Sequence, residues 1–423
     1  MPGERRRVAV IGSGVAGLTA AHVLAKAHRV ELYEADSRLG GHAHTHELPG
    51  SDGRTHHVDS GFIVHNRRTY PNLVRLFAEL DVATQESEMS MSVRCEGCGL
   101  EYAGALGPAG VFAQPRNALR PAYLAMLVQI PAFHRAARRL LAAPVPSSLT
   151  LGEFLRRGRY TSYFTSHFMI PLVSAVWSCD AADVLRYPAR HLFQFLDHHG
   201  MLDIVGSPTW RTVTGGSHTY VERITKQLDA VHSNTPVRAV HRPPGGGVDL
   251  HTDLAYEHYD AAVIAVHPDQ ALRLLAAPTR PEREVLGAFR YSRNAAILHG
   301  DTRVLPRAHR ARASWNYLLP DCRTAPDRAR VSYDMNRLQR LDAPERYLVT
   351  LGEDQPIAPE RVLARMTYEH PVFSAESVAA TSRLPALSGP VLAYAGAYHG
   401  WGFHEDGCRS GVAAAAALGV PWT

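Results

Sequence analysis

Residues 6–41 read RRVAVIGSGVAGLTAAHVLAKAHRVELYEADSRLGG, and this stretch decides the fold. The apolar run 8–11 predicts a short buried strand, the small apolar residues after the turn predict a helix to about residue 27, and 30–33 predicts a second strand ending in Glu34. Between strand and helix, Gly12, Gly14 and Gly17 form G-x-G-x-x-G around Ser13 and Ala16. The first glycine serves the tight turn, the second lets backbone approach a pyrophosphate, and the third lets helix pack closely on strand. The helix start offers free N–H groups and a positive dipole end to the phosphate, and Glu34 can accept hydrogen bonds from ribose hydroxyls. Strand, turn, helix, strand and acid together predict a dinucleotide-binding α/β unit.

The rest of the chain bounds what this unit belongs to. At 423 residues and 45% hydrophobic content, the sequence has room for two or three domains of roughly 100 to 200 residues each. The most apolar stretch, AYLAMLVQIPAF at 122–133, falls short of the about 18 apolar residues of a bilayer-spanning helix and contains Pro131. The start MPGERRRVAVIGSG has too short an apolar part for a secretory signal and reads as a mature N-terminus. Five cysteines, few and odd in number, argue against a disulfide framework and for a reducing compartment, so the cytoplasm is the expected location.

Net charge is +5, and lysine occurs only at Lys26 and Lys226, so the basic charge is almost all arginine. Arginines cluster between 116 and 159, beside the apolar stretch. The simpler reading is a helix with a solvated basic face; the second is a peripheral contact with an anionic membrane on its inner face. No aromatic interleaving accompanies the charge, so nucleic acid is not expected as a partner.

The segment EADSRLGGHAHT continues past the ribose acid, where a simple nicotinamide fold would stop. Here the chain resembles the flavin-containing amine oxidase and phytoene desaturase superfamily, whose acid is followed by an arginine and a Gly-Gly pair. Arg38, Gly40 and Gly41 match that pattern, VDSG at 58–61 matches the Asp-x-Gly of the next strand, and VTGGSHTYVERI (213–224), TPVRAVHR (235–242), YDAAVIAVHP (259–268) and AGAYHGWGFHEDGCRSG (395–411) follow in order. The resemblance implies FAD, held by Gly12, Ser13, Gly14, Ala16, Gly17, Glu34, Ala35, Arg38, Gly40, Gly41 and His42, with Val237 at the adenine and Gly396, Phe403 and His404 at the isoalloxazine. It implies a Rossmann-type, glutathione-reductase-like FAD domain (1–61, 206–274 and 386–423) interleaved with an α+β substrate domain (62–205 and 275–385). The superfamily often has an acid after the AG to hold the ribityl chain; Ala397 and Tyr398 stand here, so that contact must come from elsewhere.

GGHAHTHELPG at 40–50 spaces His42, His44 and His46 on alternate positions. In one extended strand they would share a face about 6.8 Å apart, too straight a row for all three to reach one metal. His56 and His57 could complete a site only if the strand folds back as a hairpin. A flavin-cleft or core role is the expectation instead. Cys95 and Cys98 form one C-x-x-C with no second pair at zinc spacing and read as a turn with reduced thiols, so no metal is expected.

The phrases VDSGFIVHNRRTYPNL, SAVWSC, WRTVTGGS, EREVLGAFRYSRN, ASWNYL and GFHEDGCRSG are most similar to a bacterial group described as predicted NAD/FAD-binding oxidoreductases. That group is linked to cyclopropane, methyl-branched and furan fatty acid synthesis. The resemblance implies desaturation of an apolar acyl chain by hydride transfer to flavin N5, and partner proteins of fatty-acid modification. Flavin amine oxidation, double-bond isomerisation and a non-catalytic flavoprotein subunit stand as alternatives. Many superfamily amine oxidases use a lysine-held water, and neither lysine here is placed for it. His404, Glu405 and Tyr398 are the candidates for proton transfer, with His65 and Asn66 behind them. Tyr102, Trp177, Trp210, Trp315 and Tyr333 are candidates for the wall of an apolar channel.

Overall fold

A computed structural model describes residues 5–144, 148–203, 206–322, 328–352 and 354–423. The first residues of the N-terminal reading, 1–4, and the expected domain limit at 205 lie outside the described residues. Strand β1 (Arg7–Ile11), helix α1 (Val15–Ala25) and strand β2 (Arg29–Tyr33) follow one another across the glycine turn. Val8, Ala9 and Val10 are fully buried, as a parallel strand covered on both faces requires. Helix α1 is buried from Val15 to Leu24, the mark of an interior helix rather than an amphipathic surface one.

β1 and β2 lie in a five-stranded parallel sheet ordered Ala230–His232, β2, β1, Ala261–Ile264, Leu392–Tyr394. The chain leaves β1 for one side and returns on the other, so the strand order reverses at β1. In open α/β sheets the crevice beyond the strand ends at such a reversal is where ligands bind. A three-stranded antiparallel sheet (Val237–His241, Val248–Thr252, Tyr256–Tyr259) connects two of the parallel strands.

A seven-stranded sheet forms the second layer, ordered Val362–Val372, Arg290–His299, Leu348–Leu351, Val331–Asp334, Trp315–Leu319, Met91–Cys95, Glu101–Ala103. Helices pack beside it, including Pro121–Ala142, Leu151–Arg157 and Ile170–Trp177. Thr150 and Glu153 form a capping box: Glu153 N–H donates to Thr150 Oγ1 at 3.2 Å and Thr150 N–H to Glu153 Oε2 at 2.9 Å. The architecture is mixed α/β. Among the described residues no helix is long and apolar enough to cross a membrane.

The three alternate histidines do not share one strand. Strand β3 (Thr45–Pro49) begins only at Thr45; before it Ala43 N–H closes a turn on Gly40 O at 2.9 Å, and His44 O and His42 O accept from Ser60 N–H at 2.9 Å and Phe62 N–H at 2.7 Å beyond the regular strand. β3 does fold back on β4 (Thr55–Asp59) as a hairpin, pairing Glu47 with His57 and Leu48 with His56. At its end Asp59, 1% exposed, accepts from Thr45 Oγ1 at 2.5 Å, Ser217 Oγ at 2.8 Å, Ser217 N–H at 3.0 Å and Gln339 Nε2 at 3.1 Å. This one carboxyl group ties the hairpin, the Gly215–Gly216 turn and the short helix Met335–Leu338 together.

Helix α1 packs closely on the C-terminal helix His404–Ala417. A Cβ on Gly411 would lie 2.3 Å from Ala16 O and 3.0 Å from Ala20 N, and one on Gly407 would lie 2.6 Å from Val15 Cγ1. Gly411→Ala is therefore expected to destabilise the protein by about 1–3 kcal/mol through overpacking. Gly245→Ala, with nothing within 4 Å of its Cβ, serves as the control. Denaturant midpoints check both; equal midpoints would mean the helices can separate without cost.

Candidate functional site

The crevice at β1 opens into a cleft of about 880 Å³, at the large end of the range for ligand pockets. Its first stretch is built by the glycine turn. Gly12 holds φ +103°, and a Cβ on Gly17 would sit 1.9 Å from Gly12 O, so the third glycine is a packing requirement. Around Gly14, by contrast, nothing lies within 4 Å of a would-be Cβ, leaving its backbone open to the cleft. Helix α1 has no side-chain cap, so its first N–H groups, from Val15 and Ala16, remain available to an anion.

Glu34 stands beside this turn at the end of β2. Its Oε2 accepts from Ser13 N–H at 2.9 Å and Ser13 Oγ at 2.5 Å, and its Oε1 from Asp36 N–H at 3.0 Å. Ser13 Oγ in turn accepts from Gly40 N–H at 2.9 Å. The Gly-Gly pair thus docks on the glycine turn, with a Cβ on Gly41 only 3.1 Å from Gly14 Cα. Arg38 holds the pair in shape by donating to Leu39 O and Ala43 O, both at 3.0 Å, and to Gly41 O at 2.7 Å. Ala35, Val237, Arg238 and Thr235 line the same end, while Gly17 and Gly40 shape the cleft from behind.

Further along stand Phe62, Gly396, Tyr398, Phe403 and His404. The Tyr398 ring lies against Gly396, where a Cβ would meet it at 2.1 Å, so this position tolerates no side chain. Beyond them Tyr70, Trp177, Phe195, Trp210, Trp315 and Tyr333 make an aromatic end. Tyr102 is not part of it; its hydroxyl donates to His167 O at 2.8 Å, inside the second layer.

The structure separates the expected proton-transfer residues. The His404 ring is stacked on Phe62 at 3.6 Å, with Nε2 3.3 Å from Tyr220 OH, and burial with His65 nearby pushes its pKa down to about 3. It lines the cleft as a neutral ring. Glu405 faces away: it accepts from Asn72 Nδ2 at 2.6 Å and Leu73 N–H at 3.0 Å, capping helix α2 (Pro71–Glu79), because the helical turn points it opposite to His404. Its expected catalytic role is corrected to a structural one. Tyr398 lines the cleft, its phenol pushed up by burial and its hydroxyl without a partner among the described residues. His65 is buried beside Phe77, and Asn66 builds the turn to Thr69. A second group, of which the sequence marked only His42, gathers here: His42 packs 5.1 Å from Tyr368 and 5.4 Å from His370, and His267 Nδ1 lies 3.1 Å from Glu369. Only the pairing of Arg290–His299 with Val362–Val372 turns Tyr368 to His370 toward the cleft, and that register has no local signal.

His42 Nε2, Tyr398 OH and Trp315 Nε1 are buried polar atoms without partners among the described residues, all in the cleft lining. Buried polar groups are ordinarily paired, so such a set fits a polar ligand. The open Gly14 backbone, the free helix start and Glu34 fit the pyrophosphate and ribose of FAD.

The model of the family described as flavin containing amine oxidoreductase matches residues 15–353. Carotenoid phi-ring synthase of Streptomyces griseus is 31% identical over 290 residues, covering 65% of this chain and 55% of its own length, so the chain spans about half of that relative. A CLA-producing fatty acid isomerase from P. acnes superposes with a TM-score of 0.67 at 17% identity, over 96% of this chain and 97% of its own. Cyclohexylamine oxidase from Brevibacterium oxydans gives 0.68 at 17%, over 98% and 99%.

Gly14→Val is expected to leave the melting temperature within a few degrees yet abolish bound FAD, since its Cβ meets no protein atom and enters only the cofactor space. A variant that purifies yellow would remove the pyrophosphate role of this turn. A pH dependence also follows. His44 and His404 are pushed down by burial to about 3, and His65, His199 and His370 to about 4. An unfolded histidine titrates near about 6.5, so between these values the unfolded chain binds more protons and stability falls on acidification from about 6.5 toward 4. Asp59 and Asp406, raised by burial to about 6, act with the opposite sign and are outnumbered. Unfolding midpoints followed from pH 7 to 4 should drop steadily; a flat profile would mean the imidazoles are charged in the fold.

Proposed function

The chain belongs to the flavin-containing amine oxidoreductase family, and we propose that this FAD-dependent oxidoreductase dehydrogenates an apolar acyl chain such as a methyl-branched unsaturated fatty acyl group. The observation that carries the reading is the aromatic, uncharged far end of the cleft. The carboxylates in the lining are Glu34, Asp36 and Glu369. Glu34 and Asp36 stand at the end of β2, and Glu369 faces His267 at 3.1 Å and Arg293 at 3.7 Å. An alkylammonium entering the aromatic end would find no carboxylate there, whereas an acyl chain loses only its hydration. No lysine lines the cleft: Lys26 pairs with Glu79 at 2.6 Å and Lys226 with Glu222 at 3.8 Å.

FAD, held by the glycine turn and Glu34, would supply the acceptor for the hydride lost from the activated carbon. The chain's own residues position the acyl group between aromatic walls and exclude water. The imidazoles of His42, His267 and His370, held neutral by burial, are in the form that accepts the proton lost from the neighbouring carbon as the double bond forms. Two of the matched proteins carry apolar compounds in their names, a carotenoid ring and a fatty acid, which supports a hydrocarbon substrate. The fatty acid isomerase also supports a second reading, in which the same hydride is returned and the double bond only moves.

Access from a lipid surface belongs to this reading. Leu119 is 85% exposed and Val128 75% exposed, and Leu124 shares the outer face of Pro121–Ala142 with Val128, near Arg116, Arg120 and Arg135. Apolar side chains amid arginines suit a peripheral contact with anionic headgroups.

Anaerobic mixing with vesicles of phosphatidylglycerol carrying methylated unsaturated chains should bleach the flavin band and yield an acyl product two hydrogens lighter. Cyclohexylamine and putrescine, tested in parallel, should leave the band intact. Bleaching by amines alone would overturn the reading, and an isomer of unchanged mass would select the second. Leu119→Asp with Val128→Asp should weaken flotation with anionic vesicles while leaving reduction by a detergent-dispersed substrate intact; undiminished flotation would discard the surface contact.

A further inference from the structure

We propose that Cys95, Cys98, His167 and Cys322 bind a zinc ion that clamps the wall of the second layer from the side away from the cofactor. One ligand atom from each residue lies within 4.8 Å of all the others. Cys95 Sγ is 3.5 Å from Cys322 Sγ, and Cys98 Sγ is 3.7 Å from His167 Nε2. A tetrahedral zinc with bonds near 2.3 Å to sulfur and 2.05 Å to nitrogen has edges of about 3.5–3.8 Å, so the group is already close to the ligand cage. The cysteines are free thiols, and 3.5 Å is far beyond the about 2.05 Å of a disulfide.

The surroundings are arranged as around a metal rather than around loose thiols. His167 Nδ1 lies 3.2 Å from Tyr163 O and 2.7 Å from Ser166 Oγ, which places the proton on Nδ1 and the lone pair of Nε2 toward Cys98. That outer hydrogen bond is what fixes a metal-binding imidazole. The Tyr163 ring stacks on His167 at 3.8 Å and its hydroxyl lies 3.7 Å from Cys98 Sγ, within donating reach of a thiolate. His167 sits in a single π-turn, Thr165–Met169, the kind of local widening that recurs at functional positions in helices. Gly99, at φ +67°, turns the C-x-x-C segment, and a Cβ on Gly97 would come within 2.9 Å of Cys322 N, so only glycine lets the third cysteine approach.

Four protein ligands leave no open position, which makes the site structural, and three thiolates with one imidazole favour zinc over harder divalent ions. The clamp joins the hairpin Met91–Cys95 and Glu101–Ala103, the π-turn that leads into Ile170–Trp177, and the end of Trp315–Leu319. Trp177 and Trp315, on two of these elements, line the cleft, so the ion would hold the substrate wall from behind.

Untagged full-length protein, purified without chelating resin and analysed by plasma mass spectrometry, should contain about one zinc per chain. Growth with cobalt should give the intense visible bands of tetrahedral thiolate cobalt. Cys98→Ser and His167→Ala should lose the metal; if they do not fold, wild-type protein still decides, because Cys95, Cys98 and Cys322 should resist alkylation until a chelator is added. Zinc at trace level with those thiols freely alkylated, or with Cys95 and Cys322 disulfide-linked, overturns the proposal. Zinc retained at full stoichiometry by both variants also overturns it, and would direct attention to Glu47, His57 and His218, the other close ligand group.

Discussion

The contact between backbone and backbone at Gly17 and Gly12 sets everything that follows. A Cβ there would stand 1.9 Å from a carbonyl oxygen, so helix α1 can lie against the turn only because the side chain is absent. That approach aims the free N–H groups of the helix into the cleft and brings Glu34 within reach of Ser13. The same economy of side chains recurs where Gly41 touches Gly14 and where Gly407 and Gly411 let the C-terminal helix rest on α1. Close packing of this kind has little slack, since even one methylene in a full interior forces rearrangement.

Around that contact the cleft changes character along its length. At the glycine turn the groups are backbone donors, a carboxylate and the Arg38 guanidinium, suited to phosphate and ribose. In the middle stand imidazoles that burial keeps uncharged, with Glu369 beside His267 opposing part of that effect. At the far end the lining is mainly aromatic and apolar, with no carboxylate among the described residues. The proposed hydrocarbon substrate rests on this gradient, because burial of charge without a partner is the most costly arrangement a protein interior can hold.

Asp59 shows how the layers are kept in register. Its four donors come from the hairpin, from Ser217 after the Gly-Gly turn and from Gln339 beyond Met335–Leu338, segments far apart in sequence. Glu405 does comparable work between the C-terminal helix and α2. Both are buried acids whose value lies in the donors they gather, which is why an acid beside a cofactor motif need not be a catalytic one.

Local chemistry therefore determined the nucleotide-binding part of this protein. Strand period, glycine positions in 12–17, the acid at 34 and the 38–41 pattern are readable because turn geometry, helix starts and backbone approach depend on neighbours only a few residues away. Tertiary structure decided what depends on facing surfaces. It started β3 only at Thr45 and drew His42 away from His44 and His46, turned Glu405 away from His404, and brought His267 and His370 beside His42. It also carried His167 and Cys322 to Cys95 and Cys98. The physical reason is the same in each case: strand register and helix phase determine which side chains meet, and how the segments pair and pack decides which partner each face meets.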